Sequence, residues 1–230
     1  LVSKRTSEFH VAEIDDSKLK HIGGLRRRGL MLALSSPSGA GKTTMTRKLL
    51  SLDPDVTLSI SATTRAPRGV EEHGKEYFFY SVPEFQKLVA ERELLEHTKY
   101  HDNYYGTPRA PVMRALEEGT DVLFDIDAAG VEQLSAFARE DLVSVYILPP
   151  SLEEMENRLR TRATDSEEVI KRRLEAAGVE IAHYTKYDYV LINRDLEDSM
   201  YKLRTILGAE RMKRTRLRGF TDFVRKLTKA

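Results

Sequence analysis

The sequence predicts an α/β fold: a doubly wound parallel sheet, interrupted by an inserted small α/β lobe and completed by a helical lid. Three observations predict it. Short apolar strands alternate with amphipathic helices along most of the chain, the pattern of a parallel sheet covered on both faces. The apolar run Leu30–Leu34 leads into Ser36-Pro37-Ser38-Gly39-Ala40-Gly41-Lys42-Thr43-Thr44 and then into the helix-like Met45–Leu50. That strand, glycine-bearing turn and helix is the context of a phosphate-binding loop. Residues 62–110 then break the alternation, which marks an insertion between core elements.

The elements follow in order. Residues 1–28 have weak periodicity, a Gly23-Gly24 break and an Arg26-Arg27-Arg28 cluster, and read as a flexible N-terminal extension. The first strand is about Leu30–Ser35. Val56–Ser61 alternates at period two and reads as a strand. The lobe opens with Arg65, Pro67, Arg68, Gly69 and Gly74, followed by the aromatic strand Tyr77–Tyr80. Ser81 as N-cap and Glu84 three residues on form a capping box for a helix to about Glu91. Leu94–Tyr100 is a further short strand. Core alternation resumes with a helix over Pro111–Glu118, a buried strand Val122–Ile126, a helix from about Val131 to Glu140 and a strand Leu142–Leu148. Ser151 and Glu154 cap a helix to about Arg162, and a polar break precedes a long helix to about His183. Asp188–Ile192 is the last strand and Asp195–Glu210 the last core helix. Ligands of such a sheet sit at the carboxyl ends of its strands.

Composition narrows the class. Of 230 residues 40% are hydrophobic and 32% charged, which suits a globular protein, and there is no Cys, which removes disulfides and thiolate metal sites. No apolar run approaches membrane-spanning length and no signal-peptide pattern is visible, so the expected location is cytoplasmic. The chain begins with Leu1 rather than Met. The net charge of +1 hides a basic end: residues 211–230 carry eight Lys/Arg against one Asp. Phe220, Phe223, Val224 and Leu227 fall at i, i+3, i+4 and i+7 there. This predicts a basic C-terminal helix over 213–230 with one buried face, in preference to a nucleic-acid-binding tail.

The chemistry begins at the loop. Backbone N–H groups of Ser38, Gly39, Ala40 and Gly41, with Lys42, Thr43 and Thr44 at the helix start, form a concavity that suits a nucleotide's phosphates. Lys42 would reach the β- and γ-phosphates, and the Thr43 hydroxyl would ligate Mg²⁺. Ser36 stands where the strict motif has Gly. Asp125, ending an apolar strand, is placed to hold Mg²⁺ as well; Asp127 shares its face if the strand stays regular. Arg65 and Arg68 flank Pro67, a stiffened pair suited to phosphate oxygens, although two loop arginines alone would read as solvated surface. Arg158, Arg162, Arg172 and Arg173 surround the polar break at residues 163–166 and suit a lid over a transferring phosphoryl group. His97 and His101 lie in a strand-to-loop segment and do not align as a metal pair.

In order along the chain, Ser61-Ala62-Thr63-Thr64-Arg65-Ala66-Pro67-Arg68, Glu71, Gly74-Lys75-Glu76-Tyr77, Leu95-Glu96, Asn103-Tyr104-Tyr105-Gly106-Thr107-Pro108, Asp125-Ile126-Asp127, Ile147-Leu148-Pro149-Pro150-Ser151, Thr164-Asp165-Ser166-Glu167-Glu168 and Tyr187–Asn193 resemble guanylate kinase, a family of P-loop nucleoside monophosphate kinases. The resemblance runs from about residue 29 to 212. It implies a guanylate kinase-like domain over 29–212, with the GMP-binding lobe at about 62–110 and the lid at about 156–175. It implies ATP-dependent phosphorylation of GMP, and of dGMP, to the diphosphate by direct in-line transfer, with Mg²⁺. Carried onto this chain, Arg65, Arg68, Tyr77 and Tyr105 hold the GMP phosphate, and Ser61, Glu96, Thr107 and Asp127 read guanine. Lys42, Thr43 and Asp125 serve ATP and Mg²⁺, Arg158, Arg162 and Arg173 line the lid, and Asn193 lies beside adenine. Carboxylates suit the N1–H and 2-amino donors of guanine, and a hydroxyl such as that of Thr107 can donate to O6. The sequence departs from the family at Val70, His97, Asp102, Ala128-Ala129, Ala163 and Arg194. Two other readings stand beside this one: a non-catalytic module of the same fold, and a kinase for another small phosphate acceptor. Intact Lys42, Thr43 and Asp125 speak against the first, and Glu96 with Asp127 against the second. The expected partners are GMP and ATP, with no membrane and no nucleic acid; a homo-oligomer is left open.

Overall fold

The computed structural model describes residues 21–22, 24–161 and 166–228. Strands β1 (His21–Ile22) and β2 (Leu25–Arg26) form a small antiparallel hairpin. The core follows: β3 (Met31–Ser35), α1 (Lys42–Leu52) and β4 (Val56–Leu58). The lobe holds β5 (Ala62–Thr63), β6 (Phe78–Phe79), α2 (Val82–Ala90), β7 (Leu94–Tyr100) and β8 (Asn103–Pro108). The core then continues with α3 (Arg109–Glu118), β9 (Asp121–Asp125), α4 (Ala128–Ala138), β10 (Leu142–Leu148), α5 (Leu152–Thr161), α6 (Glu167–Ala182), β11 (Tyr189–Ile192) and α7 (Leu196–Arg211); α8 (Phe220–Thr228) closes the chain.

Five core strands form a wholly parallel sheet in the order β11-β10-β3-β9-β4, so the phosphate-loop strand β3 is central. Every residue of β3 is buried, as a central strand of a doubly covered sheet requires. One face packs Leu32, Leu34, Met45, Leu49, Val145 and Leu203 together; the other packs Met31, Ala33, Val112, Leu116, Phe124 and Leu134. Period-two alternation along β3 divides its side chains between these two cores. The lobe has its own four-stranded sheet, β6-β5-β8-β7, and a small core around Phe85.

Three expectations change. The alternating run Val56–Ser61 is not one strand: β4 stops at Leu58, and Ala62–Thr63 joins the lobe sheet. Among the described residues β4 is an edge strand that pairs only with β9, so the chain is free to leave there for the insertion. The apolar stripe of α8 is not buried. Phe223, Val224 and Leu227 are exposed and Phe220 is half-buried. The part of the N-terminal extension from residue 24 onward is tied down. Arg27 is buried and bridges Leu217, and Arg28 pairs with Asp141.

Candidate active site

The phosphate loop sits at the carboxyl end of β3. Gly41 caps α1 with φ +99°, and a Cβ there would lie 2.3 Å from Asn193 Nδ2. Only glycine fits such a turn without strain. Asn193, expected beside adenine, also braces the loop: its Nδ2 donates to the Ala40 carbonyl at 2.8 Å, and Ser199 Oγ holds its Oδ1 at 3.0 Å. From α5, Arg158 donates to the Asn193 carbonyl at 3.0 Å and to Ala40 O at 3.4 Å. From α6, Arg173 donates to Ser38 Oγ at 3.3 Å, and Ser38 N–H donates to the Glu180 carboxylate. Both α5 and α6 therefore touch the loop. A cleft of about 550 Å³ lies here, lined by Gly39, Gly41, Thr44, Asn157, Arg158, Asn193 and Arg194. Thr43 is exposed in the first turn of α1. Arg162 lies outside the described residues.

Lys42 pairs with Asp125 at the end of β9. Burial pushes the Lys42 ammonium down to about 8, with Asp127 opposing the shift. Asp125 and Asp127 do not continue one regular strand. β9 ends at Asp125, and Asp127 becomes the N-cap of α4, its Oδ1 accepting from Gly130 N–H at 2.9 Å. The capping role turns Asp127 away from the strand direction.

The lobe presents two groups. In the first, Glu71 grips Arg65 bidentately at 2.9 and 3.0 Å and also accepts from the Arg68 backbone N–H at 2.7 Å. These bonds hold the Glu71 carboxyl below its ordinary range. The Arg65 guanidinium lies 5.2 Å from the Tyr77 ring centre, and Tyr77 meets Tyr105 edge-on. Arg65, Tyr77 and Tyr105 are thus brought together, while Arg68 is exposed and joins through its backbone. In the second group, Thr107 Oγ1 donates to the buried Glu96 carboxylate at 2.7 Å. The register of β7 against β8 slips between Leu94 and His97, a bulge that re-aims Glu96. Gly106 makes room for it, since a Cβ there would lie 2.7 Å from the Glu96 carbonyl. Burial pushes the Glu96 carboxyl up, and the charge of Asp127 adds to the shift. Ser61 is half-buried just before β5, and its carbonyl accepts from Phe78 N–H.

A family model described as guanylate kinase matches residues 28–210. The chain is 55% identical over 201 residues to the guanylate kinase of Paramagnetospirillum magneticum, covering 87% of this chain and 94% of that protein. The chain belongs to the guanylate kinase family. The guanylate kinase of Zymomonas mobilis is 53% identical over 203 residues, 88% of this chain and 94% of its own. A crystal structure of the guanylate kinase from Anaplasma phagocytophilum superposes with a TM-score of 0.67 at 36% identity, covering 87% of this chain and 95% of that one. As a guanylate kinase the protein transfers the γ-phosphoryl group of ATP to GMP, giving ADP and GDP. Among the described residues no helix is long and apolar enough to cross a membrane.

Glu71 belongs to the motif set that resembles the guanylate kinase family, and the structure adds its partner, the Arg65 guanidinium six residues before it. A second residue that shapes this guanylate kinase site has no counterpart in the sequence reading. Glu180 reaches the phosphate loop from 142 positions away in the chain, and no local pattern announces it.

Proposed function

We propose that GMP lies between the lobe and the end of the core sheet, and ATP in the cleft between the phosphate loop and α5. Arg65, Tyr77 and Tyr105 would hold the GMP phosphate, with Arg68 closing on it. Glu96 and Asp127 would accept from the guanine N1–H and 2-amino groups. Ser61 would add its hydroxyl. Thr107, whose proton goes to Glu96 here, would set that carboxylate rather than donate to O6. The observation that carries this reading is the position of Asp127. It stands two residues after Asp125, the partner of Lys42, and caps α4, whose Gln133 bonds His97 next to Glu96, so one short stretch of chain joins the proposed base-reading residue to the phosphate-loop lysine. dGMP would be accepted too, because the contacts proposed are to the phosphate and the base.

The backbone donors from Ser38 to Thr44 would cradle the ATP phosphates at the N-terminus of α1. Lys42 would leave Asp125 for the β- and γ-phosphates, and Arg158 and Arg173, already on the loop, would turn to the transferring group, with Arg162 joining from the lid. The Thr43 hydroxyl and the Asp125 carboxylate flank Lys42 and are hard oxygen donors, which fits Mg²⁺. When bound, that ion would neutralise charge on the β- and γ-phosphate oxygens. The GMP phosphate oxygen attacks the γ-phosphorus in line, the bond to the β-phosphate bridging oxygen breaks, and ADP leaves; no covalent enzyme intermediate forms. The residues supply position and charge. GMP would draw the lobe of about 62–110 over the core, and ATP the lid of about 156–175, which excludes water. A cytoplasmic location would give access to both nucleotides.

An ADP-release assay over a panel of nucleoside monophosphates tests the reading. GMP should outperform IMP, which lacks the 2-amino donor, by roughly tenfold or more, the value of one hydrogen bond to a charged group. Equal rates with IMP would refute the paired-carboxylate argument. Lys42→Ala should lower turnover by orders of magnitude at unchanged GMP affinity, and near-normal turnover would sink the phosphate-loop assignment.

A further inference from the structure

We infer that Gln133 is a positioning residue for guanine recognition, acting through the backbone of His97 to hold Glu96 at a fixed place relative to Asp127. The inference rests on the guanine-site reading above. Gln133 lies on α4, six residues beyond the Asp127 N-cap, or about 9 Å along the helix. Its Oε1 accepts from His97 N–H at 3.0 Å, and its Nε2 donates to His97 C=O at 3.1 Å. One side-chain amide thus satisfies both polar groups that His97 turns to the open edge of the lobe sheet. β7 is an outer strand of that sheet, so no neighbouring strand could do so.

His97 directly follows Glu96 and ends the bulge that aims Glu96 beside Thr107. A bulge leaves its residues poorly fixed by the ladder, because the regular pairing is interrupted there. The paired bonds from Gln133 restore two constraints at that point. They come from the core, on the same rigid helix whose first turn is capped by Asp127. Glu96 belongs to the lobe and Asp127 to the core; Leu95 packs against Val131 and Leu134 of α4, and the Gln133 amide is the polar link that fixes the backbone on the other side of Glu96. A substrate that must meet both carboxylates needs their separation held to within a fraction of an ångström.

Gln133→Met keeps the length and helix preference of the side chain and removes both hydrogen bonds. The variant should raise the KM for GMP by about tenfold, the worth of two modest hydrogen bonds. It should narrow the preference for GMP over IMP and leave the KM for ATP within about twofold. In a Glu96→Gln background the Met substitution should add little, since the two act through one contact. If Gln133→Met melts below the assay temperature, Gln133→Glu, which keeps only the acceptor, is read in the same way. An unchanged KM for GMP, an equal rise for ATP, or full additivity with Glu96→Gln would overturn the positioning role. Should Glu96→Gln by itself leave the KM for GMP unchanged, the guanine-site reading fails instead.

Discussion

Burial holds the Glu96 carboxyl above its ordinary 4.5, and the Asp127 charge adds to the shift. An acid whose folded-state pKa is raised binds its proton more tightly when folded than when unfolded. Its favourable contribution is fully present below the unfolded value and is lost as pH rises through the raised one. At neutral pH Glu96 therefore stands as a stability cost, which the proposed reading of guanine would explain. Glu96→Gln removes that cost while its Oε1 can still accept from Thr107, so the melting temperature at pH 7 to 8 should rise. The same change should raise the KM for GMP by roughly 10–100-fold, because an amide cannot accept from both guanine donors and a charged bond of about 1.5–3 kcal/mol is lost. In the unmodified protein the KM for GMP should climb as pH falls through the Glu96 pKa, with the KM for ATP flat over that range. Thermal melts at several pH values, paired with initial rates, check all three; a lower melting temperature for Glu96→Gln would count against the burial argument.

Among the elements, those specified by neighbouring residues were legible in the sequence. The Ser81–Glu84 capping box forms both of its bonds at the start of α2. The turn from β3 into α1 was legible for the same reason: Gly41, Lys42 and Thr43 define it within a few positions. Elements whose fate depends on distant partners were not. Val56–Ser61 has strand periodicity throughout, but only Val56–Leu58 finds β9 beside it. The 3.6-residue stripe of α8 is correct as a helix and says nothing about whether another element lies over it. Bracing of the phosphate loop by Asn193 spans 153 positions and has no local signature. This bracing gives Gly41 its testable consequence. Gly41→Ala would place a methyl group against Asn193 Nδ2 and force a left-handed residue costing about 1–2 kcal/mol. Turnover should fall at least tenfold and the KM for ATP should rise, while GMP binding measured by calorimetry stays as it was. Weakened GMP binding of equal size would show that the loop and the lobe are not separable in this way.

Across the whole molecule, a buried cluster of charge closes the end of the core sheet opposite the phosphate loop. Asp121, at the start of β9, accepts from Arg27 at 2.6 and 3.1 Å, from Arg211 Nε at 2.7 Å and from Leu30 N–H at 2.9 Å. Arg211 also pairs with Asp53 at 2.8 Å. Burial works against the Arg211 charge, yet the two carboxylates outweigh it and hold its pKa raised. The cluster joins the segment before β3, the end of α1, β9 and the end of α7, residues up to 184 positions apart in the chain (Arg27 to Arg211). Asp121→Asn would turn a donor toward one of the two guanidiniums, leaving Arg27 without its carboxylate and Arg211 with Asp53 alone. Removing one partner of a buried ionic set costs about 3–5 kcal/mol, which for a chain of this size lowers the melting temperature by roughly 6–20 °C. Asp121 stands four residues, or about 13 Å, from Asp125 at the catalytic end of the same strand. The KM values for GMP and ATP at 25 °C should therefore stay within about twofold. Denaturant titration and steady-state kinetics on the one variant separate the two effects: a stability loss below about 1 kcal/mol, or a large change in either KM, would show that the cluster is not the remote structural clasp its position implies.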